Sequence, residues 1–103
     1  MAKQDDTLHV ARALDRMFLA KQKLDFAGAE LVDARSHLPD EGCSTALNDI
    51  LDAATHLGEA DAHMESTGDA AFGKLDTKHQ TLTRKLRATR DEYRKTCQFG
   101  RKR

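Results

Sequence analysis

From Asp5 to His37 the chain has no proline, and its apolar residues return at intervals of three and four. Val10, Leu14, Met17, Leu24, Leu31 and Leu38 fall on one stripe of a helix, interrupted by Lys21 and Arg35. Phe18, Leu19, Phe26 and Val32 lie off that stripe. A helix that is apolar on more than one side needs more than one neighbour, so these four residues form the candidate partner-binding face. The stretch "HLPDEGCST" should end the helix. Pro39 disfavours helical geometry at Leu38, Gly42 permits a turn, and Ser44 or Thr45 can cap the next helix. A second stripe follows through Leu47, Ile50, Leu51, Ala54, Leu57 and Met64, with Asp61 as its polar interruption.

The stretch "MESTGDAAFGKL", residues 64–75, decides the architecture. The heptad phase passes through it to Gly68, Ala71, Leu75, His79, Leu82, Leu86 and Tyr93, so an unbroken helix over 45–97 is conceivable. At about 1.5 Å per residue that helix would span roughly 80 Å against roughly 50 Å for the first. About 30 Å of apolar seam would then find no cover in the same chain. Ser66, Thr67 and Asp69 are N-cap residues, and Gly68 allows a tight reversal with positive φ. The spacing therefore predicts a turn near 65–69, with Met64 and Phe72 packed across it. The fold expected is all-α, an up-down-up three-helix bundle. Its alternative is a long antiparallel helical hairpin that dimerises.

Met64, Gly68, Phe72, His79 and Leu86 follow an outline that resembles the small W-x-G proteins of type VII secretion. Met64 stands where that family's Trp would be, Ser66 where its Gly would be, and Phe72 and His79 where two later aromatic residues would be. The defining Trp-x-Gly is absent. So is the Tyr-x-x-x-acid export signal, because Cys97 lies four residues after Tyr93. The likeness covers roughly residues 45–95, and it implies a helical hairpin exported as a partner protein.

Composition agrees with helices. Charged residues make up 33 %, mean hydropathy is -0.69, and there is one Pro and no Trp. Strand signals are nearly missing. The start "MAKQDDTLHV" has no apolar core of a cleavable secretory signal, and no apolar run approaches about 18 residues, so no membrane span is expected. These features describe one soluble helical domain over 1–103 with a basic tail at 98–103, cytoplasmic or exported without a cleavable signal.

Charge changes that picture. Residues 1–73 hold 6 Lys and Arg against 14 Asp and Glu, whereas residues 74–103 hold 11 against 3. Either the two parts pack together and neutralise one another, or the basic part meets an anionic partner. In the second case Arg84, Lys85, Arg87, Arg90, Arg94, Lys95, Arg101, Lys102 and Arg103 would neutralise nucleic-acid phosphates without reading bases.

Candidate chemistry is sparse. Asp52, His56, Glu59 and His63 share a helix face at spacings suited to a divalent ion, but no second Glu-x-x-His pair accompanies them. A solvated polar face is the simpler reading, so no metal is assigned. His79 on the apolar stripe reads as a hydrogen-bonded core residue, and Tyr93 as a core-edge aromatic. Cys43 and Cys97 fall toward the same end of an up-down-up bundle. A bridge between them is geometrically possible, but with no secretory signal free thiols in a reducing compartment are expected. There is no Gly-rich phosphate loop, nucleophile elbow or H-E-x-x-H, so no enzyme and no cofactor are expected. The reading that follows is a non-enzymatic helical protein-interaction module, an adaptor, chaperone or small secreted partner protein. It would bind a protein partner or form a homo-oligomer, and sequence-tolerant nucleic-acid binding is the alternative.

Overall fold

A computed structural model describes residues 2–37 and 39–99. It contains three helices, α1 (Ala2–Ser36), α2 (Pro39–Met64) and α3 (Asp69–Tyr93), and α3 runs on into a π-helical turn at Arg94–Phe99. The predicted all-α three-helix bundle is the architecture found. The helices run side by side as a rod of 59 × 17 × 15 Å.

α1 and α2 form an antiparallel pair with a heptad seam. On α1 the buried line is Ala13, Met17, Ala20, Leu24, Ala27, Leu31 and Ala34; on α2 it is Cys43, Ala46, Ile50, Ala53, Leu57, Ala60 and Met64. Each line alternates a large residue with an alanine. This corrects the sequence reading, which set Leu14, Leu47, Leu51 and Ala54 on the core stripes; all four are exposed. The reason is continuity. The heptad row through Leu14 continues as Lys21, Gly28 and Arg35, and the row through Leu47 reaches Asp61. The rows through Ala13 and Ala46 carry alanine at every step, so nothing polar has to be desolvated.

Small residues also let the two backbones approach closely. Gly42 shows how near they come. A Cβ there would lie 2.8 Å from the Glu30 carbonyl oxygen and 2.9 Å from the Ala34 Cβ. The register is constant along the pair: His9 faces His63, Lys23 faces Asp49, and Glu30 faces Gly42.

α2 begins earlier than the sequence suggested. It starts at Pro39 rather than after Ser44 or Thr45, and Gly42 is a buried helical residue, not a turn. Pro39 suits the first helical turn because its missing N–H has no intrahelical acceptor there. Asp40 and Glu41 add negative charge where the helix dipole favours it. The Thr45 hydroxyl then donates to the Glu41 carbonyl within the helix, at 2.9 Å.

The α2–α3 turn sits where it was expected. The Ser66 and Thr67 amides donate to the His63 and Met64 carbonyls at 3.1 and 3.0 Å, and the Thr67 hydroxyl donates to Met64 at 2.7 Å. The N-cap, however, is Gly68 itself, at φ −73° and ψ 166°. The non-helical backbone expected there is found, but as an extended conformation that any residue adopts and not with positive φ. Met64 is fully buried, with Phe72 at the edge of the same core. α3 lies along one side of the α1–α2 pair and buries Leu75, Leu82 and Leu86, with Tyr93 partly buried beside them.

Candidate functional site

α1 touches α2 on one side and α3 on a second, which leaves a third side open. Phe18, Phe26 and Val32 are 58 %, 53 % and 50 % exposed, and Leu19 is half-buried. The candidate partner face thus lies on the surface of the bundle. Leu8 and Leu14, absent from the sequence-derived set, are exposed too. Eighteen residues make five helical turns, so Leu8 and Phe26 share one angle around α1 and Leu14 and Val32 share another. Phe18 stands between these two rows. The signal that marked Phe18, Phe26 and Val32 was their place off the core stripe.

The row through Leu14 borders a groove between α1 and α3. Leu14, Met17, Phe18 and Leu82 form its apolar floor, with Lys21, Lys78 and Thr81 at the rim, in a volume of about 470 Å³. A second depression continues it past Val10 and Leu75 to Lys74. Lys21 is held by Asp25 at 3.1 Å.

The basic residues of α3 divide into two groups. Lys85 pairs with Asp25 on α1, Arg35 of α1 pairs with Glu92, and Arg94 lies 3.8 Å from Asp91. The ammonium groups of Lys85 and then Lys21, hydrogen-bonded to Asp25, hold its carboxyl below the usual range. Among the described residues, Arg84, Arg87, Arg90 and Lys95 form no ion pair, so packing neutralises the arm only in part. Arg84 and Arg87 line a shallow hollow with Gln80 and Thr83. Arg101, Lys102 and Arg103 lie outside the described residues.

Three of the four residues weighed for a metal are drawn to different partners on α1. Asp52 meets Lys23 at 3.6 Å, and Glu59 meets Arg16 at 3.5 Å. His56 stays beside Glu59 at 3.2 Å, whereas His63 reaches His9 at 3.0 Å. Among the described residues no three potential ligands converge. His79 packs as a core histidine, its Nε2 2.9 Å from the Leu57 carbonyl. One acidic pair, with Asp49 buried and Glu30 partly so, escaped the sequence reading. Glu30 faces Asp49 across the α1–α2 seam, and burial first, then the neighbouring carboxylate, raises its pKa to about 7. Its Oε1 is buried without a hydrogen-bond partner.

The cysteines correct the expectation of free thiols. Cys43 and Cys97 form a disulfide with Cα atoms 5.8 Å apart, tying the start of α2 to the π-helical turn after α3. Their place at one end of the bundle follows from the up-down-up path; both side chains are buried there. No described helix is long and apolar enough to cross a membrane. No family model, curated protein or solved structure matches this chain.

Proposed function

We propose that the protein is a non-enzymatic helical interaction module that binds a protein partner, or a second copy of itself, by packing a helix against the open side of α1. One observation carries this reading: Phe18 and Phe26 are each more than half exposed on a helix whose other two sides are already occupied. Large aromatic side chains on a helix face are the usual anchors of helix-to-helix recognition. The test is the double change Phe18→Ser and Phe26→Ser. Circular dichroism should show unchanged helicity, while light scattering or partner capture should show association weakened at least about tenfold, the equivalent of roughly 1.4 kcal/mol. A wild-type chain that stays monomeric and partnerless, with a double variant that unfolds, would show these residues to be structural.

The disulfide supports an oxidising location, since such bridges are rare where glutathione keeps thiols reduced. Within the proposal this favours export over the cytoplasm, the kind of role that the W-x-G outline would also imply. A second reading rests on Arg84, Arg87 and Arg90, which form no ion pair among the described residues. Nucleic-acid binding through them would be sequence-tolerant and steeply salt-dependent. Gel shifts at low salt test it, and an absence of retardation there rules it out.

A further inference from the structure

α2 is tied by a disulfide to the turn after α3 at its start, and meets α1 through two histidines at its end. His9 Nδ1 lies 3.0 Å from His63 Nδ1, with ring centroids 5.2 Å apart and planes inclined at 36°. Both rings are half-buried. Between neutral imidazoles this contact is a single hydrogen bond, in which one Nδ1–H donates to the bare Nδ1 of the other. The two ring nitrogens, of the same type and from two helices, face each other nearly head-on, so a rotation of each ring would turn both lone pairs toward one point beside them. The site is independent of the partner face on α1, and it joins residues 54 apart in sequence.

We propose that His9 and His63 form a two-histidine site for a divalent transition metal, with Cu2+ the best fit and Ni2+ next. Metal–imidazole bonds are about 2.0–2.1 Å long. Two such bonds to nitrogens 3.0 Å apart enclose an angle of about 94° at the metal. That is the cis angle of a tetragonal ion, the geometry preferred by Cu2+ and Ni2+. Tetrahedral zinc would need the nitrogens to part to about 3.3 Å. Hard ions such as Mg2+ and Ca2+ favour oxygen ligands, and the site offers none that is described.

Binding needs no net proton release from neutral rings. The ring that donates its Nδ1–H moves that proton to Nε2, and both Nδ1 lone pairs then face the ion. Water completes the coordination, since among the described residues no third protein ligand converges here. A bound ion would join the N-terminal half of α1 to the C-terminal end of α2. That is roughly 30 Å along α2 from Cys43, which the disulfide ties to the turn after α3, so α2 would be fastened to α3's end at its start and to α1 at its finish.

The experiment is a Cu2+ titration of the oxidised full chain, followed by absorbance and by the melting temperature, with Zn2+ in parallel. Cu2+ should raise the melting temperature and bind more tightly than Zn2+. Its dissociation constant should rise at least tenfold in His9→Gln and in His63→Gln, and stay within twofold in the control His56→Gln. Should either test variant fail to fold, the unmodified chain still decides. Sub-stoichiometric Cu2+ should broaden the His9 and His63 ring resonances before those of His37, His56 and His79. Equal affinities in all variants, broadening centred on other histidines, or no binding would each overturn the site.

Discussion

Replacing Gly42 by Ala should destabilise the protein, although the same change at other helical glycines should stabilise it. In an open helix interior, Gly→Ala gains roughly 0.5–1 kcal/mol, because the unfolded chain loses freedom and the helix does not. At Gly42 the new methyl would sit 2.8 Å from a backbone oxygen and 2.9 Å from the Ala34 Cβ. Ordinary contact begins near 3.4 Å, so α1 and α2 would have to separate by about half an ångström or more at this level. Neither obstacle is a flexible side-chain end. Forced overpacking of this kind costs about 1–3 kcal/mol. Subtracting the propensity gain leaves a net loss of about 1–2 kcal/mol. At Gly28 and Gly58 a Cβ would meet nothing within 4 Å, so Gly→Ala there keeps the full gain. Urea unfolding of the three variants measures both signs. For a chain of this size, 1 kcal/mol moves the melting temperature by about 4–8 °C. A Gly42→Ala variant as stable as Gly58→Ala would refute the close approach of α1 and α2.

Other outcomes follow from the disulfide and the buried acid. Cys43→Ser with Cys97→Ser, or reduction of the bridge, releases a loop spanning a separation of 54 residues. Loop-closure entropy sets the loss at up to about 4 kcal/mol, read from urea curves with and without reductant; coincident curves would mean the bridge contributes nothing. The Glu30 carboxyl has its pKa raised from 4.5 to about 7 in the folded chain. Between those values the native state therefore holds more protons than the unfolded one, so stability is full below about pH 4.5 and declines as pH rises through 7. Partial exposure of Glu30 holds this loss to about 1–2 kcal/mol. Glu30→Gln should flatten that decline, and an unchanged pH profile would contradict the assignment.

The period of the sequence determined the class of fold. Val10, Met17, Leu24 and Leu31 recur at helical spacing, and all but the half-buried Val10 are fully buried. The turn at 65–69 was legible because an unbroken helix would have carried uncovered apolar seam. Periodicity names the residues that share a face, but it does not say which face a neighbour will meet. Leucine looked like core at Leu14 and Leu51, where it is exposed, and alanine gave no signal at Ala13, Ala20 and Ala27, where it is fully buried. Alanine favours helix on either face, so its burial is decided by how closely a second helix can come. Pro39 and Gly42 read as a loop for a similar reason. Their helical role depends on a first-turn position and on the backbone of α1, and neither is a local property. The open side of α1 could be suspected from Phe18 and Phe26, because residues off the stripe must face something. That Cys43 and Cys97 share one end of the bundle was legible from the up-down-up path, but that they bond was not, and the contact of His9 with His63 gave no sign in the sequence; each pair spans 54 residues. Contact across such a distance is set by helix length, turn position and register together, and only the packed tertiary structure fixes all three.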